Sequence, residues 1–156
     1  MSESEFESPI DQKRKIEVLL VEDSPSDAML TIEALREGCV TESLHHVEDG
    51  VEALAYLRRS GQYANAPRPD VVLLDLNMPR KNGHEVLQEI RADDALQFLP
   101  VIMLTTSDDE QDVLKAYGEN VNCYITKPVD LNAFVRAMRS LGDFWLKWVT
   151  PPPPTA

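Results

Sequence analysis

The sequence predicts an α/β fold: an open, doubly wound sheet of five parallel strands with helices on both faces. Three observations lead to this prediction. Five short apolar runs occur in order, each run is followed by a segment with helical spacing, and the runs are almost continuously apolar, as in strands buried on both faces. The units lie within residues 16–149, whereas an eight-stranded barrel needs about 250 residues.

The first unit pairs a buried strand with a well-marked helix. Ile16–Val21 is short and almost wholly apolar. Ser24 can cap the following helix, and Pro25 suits its first position. Gly38 then supplies the left-handed residue that commonly ends a helix.

The second and third units follow the same order. Ser43–Val47 is a weaker strand, and the helical spacing that follows the Asp49-Gly50 turn ends near Gly61. Asp70–Leu74 is the clearest strand of the chain. A turn leads from it into a helix expected at Glu85–Arg91.

The fourth and fifth units complete the pattern. Pro100–Leu104 predicts a strand, and Asp108–Tyr117 a polar helix. Cys123–Thr126 predicts the fifth strand, and Asp130 has the side chain expected at the start of a fifth helix.

The composition excludes several classes of protein. Fifteen Lys and Arg stand against 27 Asp and Glu, which gives a formal net charge of −12. A protein with this charge is poorly suited to bind the phosphate backbone of nucleic acids or an anionic membrane surface. The apolar runs are too short to span a bilayer, and the N-terminus lacks the apolar core of a secretion signal. We therefore expect a cytoplasmic protein with no nucleic-acid partner and no membrane partner.

The two ends of the chain differ from the part between them. Residues 1–15 are rich in Ser and Glu without any periodicity, which predicts a disordered lead-in. Residues 150–156 hold four consecutive prolines and form a Pro-rich tail. One domain is expected at residues 16–149. Cys39 and Cys123 are expected to be free thiols, because a chain without a secretion signal seldom forms disulfides.

In open α/β sheets the functional site lies at the carboxyl ends of the strands. Those ends carry Glu22-Asp23, Asp75, Thr105-Thr106 and Thr126-Lys127-Pro128. Three clustered carboxylates repel one another unless a positive charge intervenes. Oxygen ligands without His or Cys favour Mg²⁺ over zinc, and the three histidines of the chain lack ligand spacing. With a metal in place, a strand-end carboxylate can attack phosphorus and form an aspartyl phosphate.

Four motifs at these strand ends resemble those of the receiver domain of two-component response regulators. The resemblance covers about Ile16 to Trp148. It rests on Val21-Glu22-Asp23-Ser24, Leu73-Leu74-Asp75-Leu76-Asn77-Met78-Pro79 with Gly83, Leu104-Thr105-Thr106-Ser107, and Tyr124-Ile125-Thr126-Lys127-Pro128. It implies a flavodoxin-like (βα)5 fold with strand order 2-1-3-4-5.

The resemblance also implies a role for each acidic residue. Asp75 matches the carboxylate that accepts the phosphoryl group from a kinase phosphohistidine. Glu22 and Asp23 match the acidic pair that holds Mg²⁺ together with Asp75 and the backbone carbonyl of Asn77. Such a protein is a phosphoacceptor that assists its own phosphotransfer and dephosphorylation rather than an enzyme with a separate substrate.

The same resemblance implies phosphoryl-binding and switch residues. Thr105 and Lys127 match the residues that bind the phosphoryl oxygens. Tyr124 matches the aromatic residue that swings inward when that threonine moves. The peptide bond between Lys127 and Pro128 is expected to be cis, which an X-Pro bond tolerates at small cost.

Within the family, several segments are similar to single-domain regulators paired with bacterial and cyanobacterial phytochromes. These segments are Asp49–Leu57, Asn77–Gly83, Asn122–Tyr124 and Phe144–Leu146. The resemblance implies a sensor histidine kinase as partner, with a phytochrome as the expected kinase. We expect a stand-alone regulator whose output comes from protein contacts or from passing the phosphoryl group on.

A long apolar stripe in the fifth helix predicts a surface for a second copy of the chain. If the helix continues past Gly142, one face carries Phe134, Met138, Leu141, Trp145 and Trp148. Exposed patches of this kind usually mark a partner surface. Response regulators commonly dimerise through helix 4, strand 5 and helix 5, which adds Tyr124 to the face. Alternatively, the stripe folds back onto its own sheet, or Gly142 ends the helix early.

Three other functions compete with this one. A phosphohydrolase that forms an aspartyl phosphate needs a second acid where Asn77 stands, and an amide cannot act as a general acid. A flavin-binding protein of this fold needs neutral or positive donors where residues 23–27 are acidic. A docking module of the same fold that never takes a phosphoryl group remains the alternative.

Overall fold

A computed structural model describes residues 16–37, 43–105, 118, 121, 123–130, 132–134 and 136. The five strands are β1 (Glu17–Val21), β2 (Ser43–Val47), β3 (Val71–Asp75), β4 (Val101–Thr105) and β5 (Cys123–Thr126). The three helices with described bounds are α1 (Pro25–Glu37), α2 (Gly50–Leu57) and α3 (Gly83–Ala92), and a short 3₁₀ turn spans Gly61–Tyr63.

The strands form one parallel sheet in the order β2-β1-β3-β4-β5. This confirms the predicted fold class and strand order. β1 and β3 are direct neighbours, with Val21 opposite Leu74. The residues that follow β1 therefore lie beside the residue that ends β3, and this adjacency positions the functional site.

Both faces of the sheet are buried, as the apolar runs predict. Leu19 and Val21 of β1 belong to one hydrophobic cluster, whereas Val18 and Leu20 belong to the other. β3 alternates in the same way between the two clusters. Because successive strand residues point to opposite faces, only strands buried on both sides need such continuous apolar sequences.

The described helices begin at polar caps that fix their position. The Ser24 hydroxyl accepts a hydrogen bond from the Asp27 amide at 3.3 Å, as expected for the cap of α1. Asp49 caps α2 by accepting from the Glu52 amide at 2.9 Å, so the predicted Asp49-Gly50 turn is the start of the helix itself. Asn82 and Glu85 form a capping box that starts α3 two residues earlier than the sequence predicted.

α2 ends four residues before the predicted stop at Gly61. The Ser60 amide donates to the Ala55 carbonyl and the Arg59 amide donates to the Tyr56 carbonyl. This pair of bonds is a Schellman motif, in which the residue in the left-handed region is usually glycine. Here Arg59 occupies that position, with a φ of 54°.

The fifth helix is described only at its start. Residues 132–134 and 136 are helical, and the Asp130 carboxylate accepts from the Ala133 amide at 2.6 Å, as expected of a cap. Phe134 is fully buried in its own hydrophobic core. The prediction that Phe134 contributes to an exposed partner face is therefore wrong, because its ring belongs to the buried cluster on one face of the protein's own sheet. Met138, Leu141, Trp145 and Trp148 lie outside the described residues.

Other predictions also fall outside the described part of the chain. They are the lead-in at residues 1–15, the helix at 108–117, Cys39 and the tail at 150–156. Cys123 is half-buried at the start of β5. Within the described ranges, no helix has both the length and the apolar character needed to cross a membrane.

The capping box of α3 gives a test of the local fold. We expect Asn82→Ala to lower the free energy of unfolding by about 1 kcal/mol, because an N-cap side chain satisfies an otherwise unpaired amide. Urea denaturation followed by circular dichroism measures this change. Asn65→Ala, at an exposed loop position, is the matched control, and equal stability of the two variants would contradict the capping role.

Candidate functional site

The carboxyl ends of β1 and β3 bring three carboxylates together. Glu22 and Asp23 follow β1 directly, and Asp75 is the last residue of β3. One carboxylate oxygen of each of the three residues lies within 4.8 Å of the other two. Glu22 is fully buried and Asp75 is 4% exposed, whereas Asp23 faces solvent. The fold thus gathers the acidic residues that the strand ends predicted.

Lys127 reaches this group from the end of β5. Its ammonium nitrogen lies 2.5 Å from Glu22 Oε1 and 3.2 Å from Asp75 Oδ1. It also donates a hydrogen bond to Asp27 Oδ2 at 3.1 Å. The lysine side chain is only 9% exposed, and the peptide bond between Lys127 and Pro128 is cis. One buried cation therefore contacts carboxylates from two strands and one helix.

Asp27 is a site residue that sequence reasoning missed. It lies in the first turn of α1, and the sequence suggested only an acidic loop there. The signal was the cap at Ser24, because a helix that begins there directs its first turn over the strand end. The contact with Lys127 spans 100 residues of sequence, so the cap places Asp27 near the strand end but does not identify its partner.

Burial sets the protonation behaviour of Asp75. Burial, the charge of Glu22 and a hydrogen bond with Glu22 together raise the pKa of Asp75 to about 7, and Lys127 offsets this effect only in part. Burial alone would lower the pKa of Lys127, but the hydrogen bond to Glu22 and the charges of Asp75 and Glu22 raise it. Lys127 thus stays protonated, while the site still lacks positive charge.

The donor set fits a divalent cation. Three carboxylates, from Glu22, Asp27 and Asp75, contact the Lys127 ammonium, and a fourth, from Asp23, lies beside those of Glu22 and Asp75. An ion with charge +2 offsets most of the remaining negative charge. All of the converging donor atoms are carboxylate oxygens, and the carboxylate of Asp23 is open to solvent. Hard cations that keep several water ligands bind in such sites.

The loop between β3 and α3 is held in place beside the site. Arg80 adopts a left-handed conformation, with a φ of 64°. Its Nε donates to Asp49 Oδ2 at 3.0 Å, while Asp49 Oδ1 caps α2. A side chain on Gly50 would collide with the Lys81 carbonyl oxygen at 2.5 Å. These contacts tie the loop that carries Asn77 to the start of α2, which the sequence analysis did not anticipate.

Two further predicted residues lie on β4 and β5. Thr105 ends β4 opposite Thr126, and its side chain lies outside the described residues. Tyr124 is half-buried on β5, opposite Met103, and packs against the hydrophobic cluster that contains Met103. The ring of Tyr124 is therefore close to β4 but does not join the acidic group.

Comparison with protein families decides the class of the chain. The family model described as response regulator receiver domain matches residues 18–139. The chain belongs to this family. The resemblance noted from the four motifs is thereby confirmed, and the five-stranded fold agrees with it.

Three relatives of this receiver domain are especially similar. Response regulator Rcp1 of Synechocystis sp. is 44% identical over 135 residues, which cover 86% of this chain and 92% of Rcp1. The structure of the bacteriophytochrome response regulator AtBRR is 44% identical and superposes with a TM-score of 0.77, covering 85% of this chain and 96% of AtBRR. The phosphorylated cyanobacterial phytochrome response regulator RcpA is 42% identical, with a TM-score of 0.71 and coverage of 92% and 100%.

Rcp1 also has a solved structure in its Mn²⁺-bound form. That structure is 43% identical to this chain, with a TM-score of 0.71, and covers 89% of this chain and 99% of the Rcp1 chain. A divalent metal in a relative this similar agrees with the three carboxylates that converge here.

The raised pKa of Asp75 gives a pH prediction for the metal-free protein. Between pH 4 and 7 the folded state retains a proton that the unfolded state releases, so this group's contribution to stability falls as pH rises through that window. We expect Asp75→Asn to remove that loss. The variant should exceed the wild type by on the order of 4 kcal/mol at pH 8 and by less than half of that at pH 5, since the pKa rises from 3.8 to about 7 and one pKa unit corresponds to about 1.4 kcal/mol.

Urea denaturation in EDTA at both pH values measures this difference. Glu33→Gln, at an exposed position of α1, is the control and should change stability little at either pH. Equal stability of Asp75→Asn and the wild type at pH 8 would show that the buried carboxylates do not repel one another as the structure indicates.

Proposed function

We propose that this protein is a response regulator that accepts a phosphoryl group on Asp75 from the phosphohistidine of a sensor histidine kinase. One observation carries the proposal: in a receiver domain, the Asp75 carboxylate ends β3 within 3.2 Å of the Lys127 ammonium and beside Glu22 and Asp23. An aspartate that only caps a turn at the end of a strand does not require a buried lysine and two further carboxylates beside it. Together they match the requirements of phosphoryl transfer to a carboxylate.

In the proposed reaction, a carboxylate oxygen of Asp75 attacks phosphorus in line with the phosphorus–nitrogen bond of the phosphohistidine. The aspartyl phosphate forms as that bond breaks. Glu22, Asp23, Asp75 and the backbone carbonyl of Asn77 would hold Mg²⁺, which would supply positive charge that favours ionised Asp75 and offsets charge on the phosphoryl oxygens. Lys127 already lies beside Asp75 Oδ1, so its ammonium is placed to contact an oxygen of the transferred group.

We further propose that phosphorylation is read out along β4 and β5. In this proposal the Thr105 hydroxyl binds a phosphoryl oxygen, and Tyr124 moves inward as Thr105 shifts. Two features support it: Thr105 and Thr126 are register partners, as are Met103 and Tyr124. Lys127 also follows β5 directly, so a change in its contacts acts on the same strand. The conformational change is a shift in population between two states.

We propose a phytochrome as the kinase partner and the cytoplasm as the site of the exchange. Support comes from AtBRR and RcpA, which are described as phytochrome response regulators and cover at least 85% of this chain. We also propose a homodimer that uses helix 4, strand 5 and helix 5. β5 is one of the two edge strands of the sheet, and Tyr124 on it is only half-buried. Phe134 has no part in this face, because it is buried.

Intact-mass spectrometry tests the phosphoacceptor directly. We expect a single phosphoryl adduct after incubation with acetyl phosphate and Mg²⁺, and none without Mg²⁺ or in Asp75→Asn. Asp94→Asn should be labelled like the wild type. The docking-module alternative predicts no adduct under any condition, including with a competent kinase. A wild-type labelling rate in Asp75→Asn would mean that another residue is the nucleophile.

Substitution of Lys127 should affect phosphoryl transfer without weakening metal binding. We expect Lys127→Ala to bind Mg²⁺ at least as tightly as the wild type, because the variant loses a positive charge within 3.2 Å of two carboxylates. The rate of labelling should fall by about 100-fold, because a charge that stabilises the transferring group is lost. The conformational change that follows labelling should also be lost.

Thermal shift with increasing Mg²⁺ and the time course of labelling measure the two effects. Lys81→Ala is the matched control, because the Lys81 ammonium pairs with Glu89 of α3 and not with the carboxylates around Asp75. Labelling of Lys127→Ala at the wild-type rate would rule out its proposed role.

A further inference from the structure

A pocket of about 370 Å³ lies beneath the end of α2, at the amino ends of the strands. Asp75 lies at the opposite, carboxyl ends of the strands. The pocket opens beside the segments that lead into β3 and β4, since Pro69 and Leu96 both line it. Its apolar wall consists of Tyr56, Leu57, Pro67, Pro69 and Leu96. We refer to it as the arginine pocket, because Arg58, Arg59 and Arg68 also line it.

The charge of the arginine pocket contrasts with that of the chain. The protein carries a formal net charge of −12, yet three arginines and a single acidic residue, Asp93, line this pocket. Arg58 has long contacts, at 3.5 Å each, with Glu89 and Asp93. Arg68 donates to the Ala95 carbonyl at 3.1 Å. Within the described part of the chain, neither Arg59 nor Arg68 forms an ion pair.

The backbone at Arg59 provides an independent observation. Arg59 occupies the left-handed position of the Schellman motif that ends α2. Glycine is the residue that this position favours, and a side chain there costs free energy. A surface arginine placed merely to complement the helix dipole does not need this position. The strained backbone therefore points to a use for the Arg59 guanidinium at the pocket.

We propose that the arginine pocket binds a small organic phosphate, in which a phosphate monoester is joined to a flat apolar ring. Guanidinium groups bind phosphate oxygens in pairs of parallel hydrogen bonds. A phosphate monoester carries between one and two negative charges and three acceptor oxygens. It therefore suits this group of three arginines, two of which have no carboxylate partner among the described residues, better than one carboxylate does. The apolar wall then contacts the ring. A volume of about 370 Å³ lies within the range of small-ligand pockets.

The proposed site is separate from the phosphoacceptor. The arginine pocket lies at the amino ends of β3 and β4, whereas Asp75 lies at the carboxyl end of β3. A ligand here therefore does not compete with the phosphoryl group for Asp75. The inference does not rest on the proposed phosphotransfer, and failure of one leaves the other intact.

Isothermal titration calorimetry on the full chain at fixed ionic strength tests the proposal with three probes: AMP, adenosine and inorganic phosphate. We expect AMP to bind with a dissociation constant below the millimolar range and each of the other two to bind at least tenfold more weakly. Equal binding of adenosine would overturn the phosphate contact, and equal binding of inorganic phosphate would overturn the apolar contact. Absence of AMP binding in the millimolar range would overturn the site.

Variants distinguish a binding role from a structural one. Arg68→Gln should weaken AMP binding at least tenfold, whereas Arg36→Gln, on the exposed face of α1, should change it less than twofold. Arg59→Gly should raise the melting temperature, because glycine suits the left-handed position, and should still weaken AMP binding at least tenfold. Arg59→Gly with unchanged AMP binding would overturn the proposal. Asp75→Asn should bind AMP like the wild type.

Discussion

The contact of the Lys127 ammonium with two buried carboxylates is the interaction on which the site depends. Glu22 and Asp75 end adjacent strands and lie almost entirely out of solvent, so their mutual repulsion acts against the pairing of β1 with β3 at that edge. Lys127 reaches both carboxylates from β5, which lies two places from β3 in the sheet. Because one cation pairs with both anions and neutralises only part of their charge, the site keeps an excess of negative charge.

This imbalance links charge to conformation. A group that adds positive charge near Asp75 weakens the electrostatic attraction between Lys127 and Glu22. A group that adds negative charge to Asp75 strengthens the attraction between Lys127 and Asp75. In either case the change in the contacts of Lys127 acts on the end of β5, because Lys127 follows that strand directly. β5 is also an edge strand, so within the described part of the chain only β4 pairs with it.

The sequence predicts the sheet well because the strands are buried on both faces. An apolar run such as Val71–Leu74 has few other places in a small α/β domain, and its order along the chain restricts the topology. Helix starts were less well predicted. Asp49-Gly50 and Asn82-Gly83 have the composition of turns, and only the hydrogen bonds from the Glu52 and Glu85 amides show that these segments cap helices.

The site was predicted at its strand ends and missed where contacts come from helices and loops. Glu22, Asp23 and Asp75 follow from position alone, because parallel strands end at a common edge. The contact of Asp27 with Lys127 and that of Arg80 with Asp49 depend on how helices pack on the sheet. Phe134 shows the reverse error: helical spacing identifies an apolar stripe but does not tell which part of it faces the protein's own core.

The two ends of the sheet carry opposite local charge, and β3 joins them. Pro69 at the arginine pocket and Asp75 at the acidic site are separated by a single fully buried strand. Such a strand is a poor hinge, because its neighbours β1 and β4 hold it along its length. A ligand at the arginine pocket therefore alters the acidic site only if it binds one arrangement of the surrounding segments more tightly than another. The segment from Asp93 to Pro100 is the natural candidate, since it contributes Asp93 and Leu96 to the pocket and leads directly into β4, the strand that ends at Thr105. A shift of that segment would reach the acidic edge through β4, whereas β3 would stay in place.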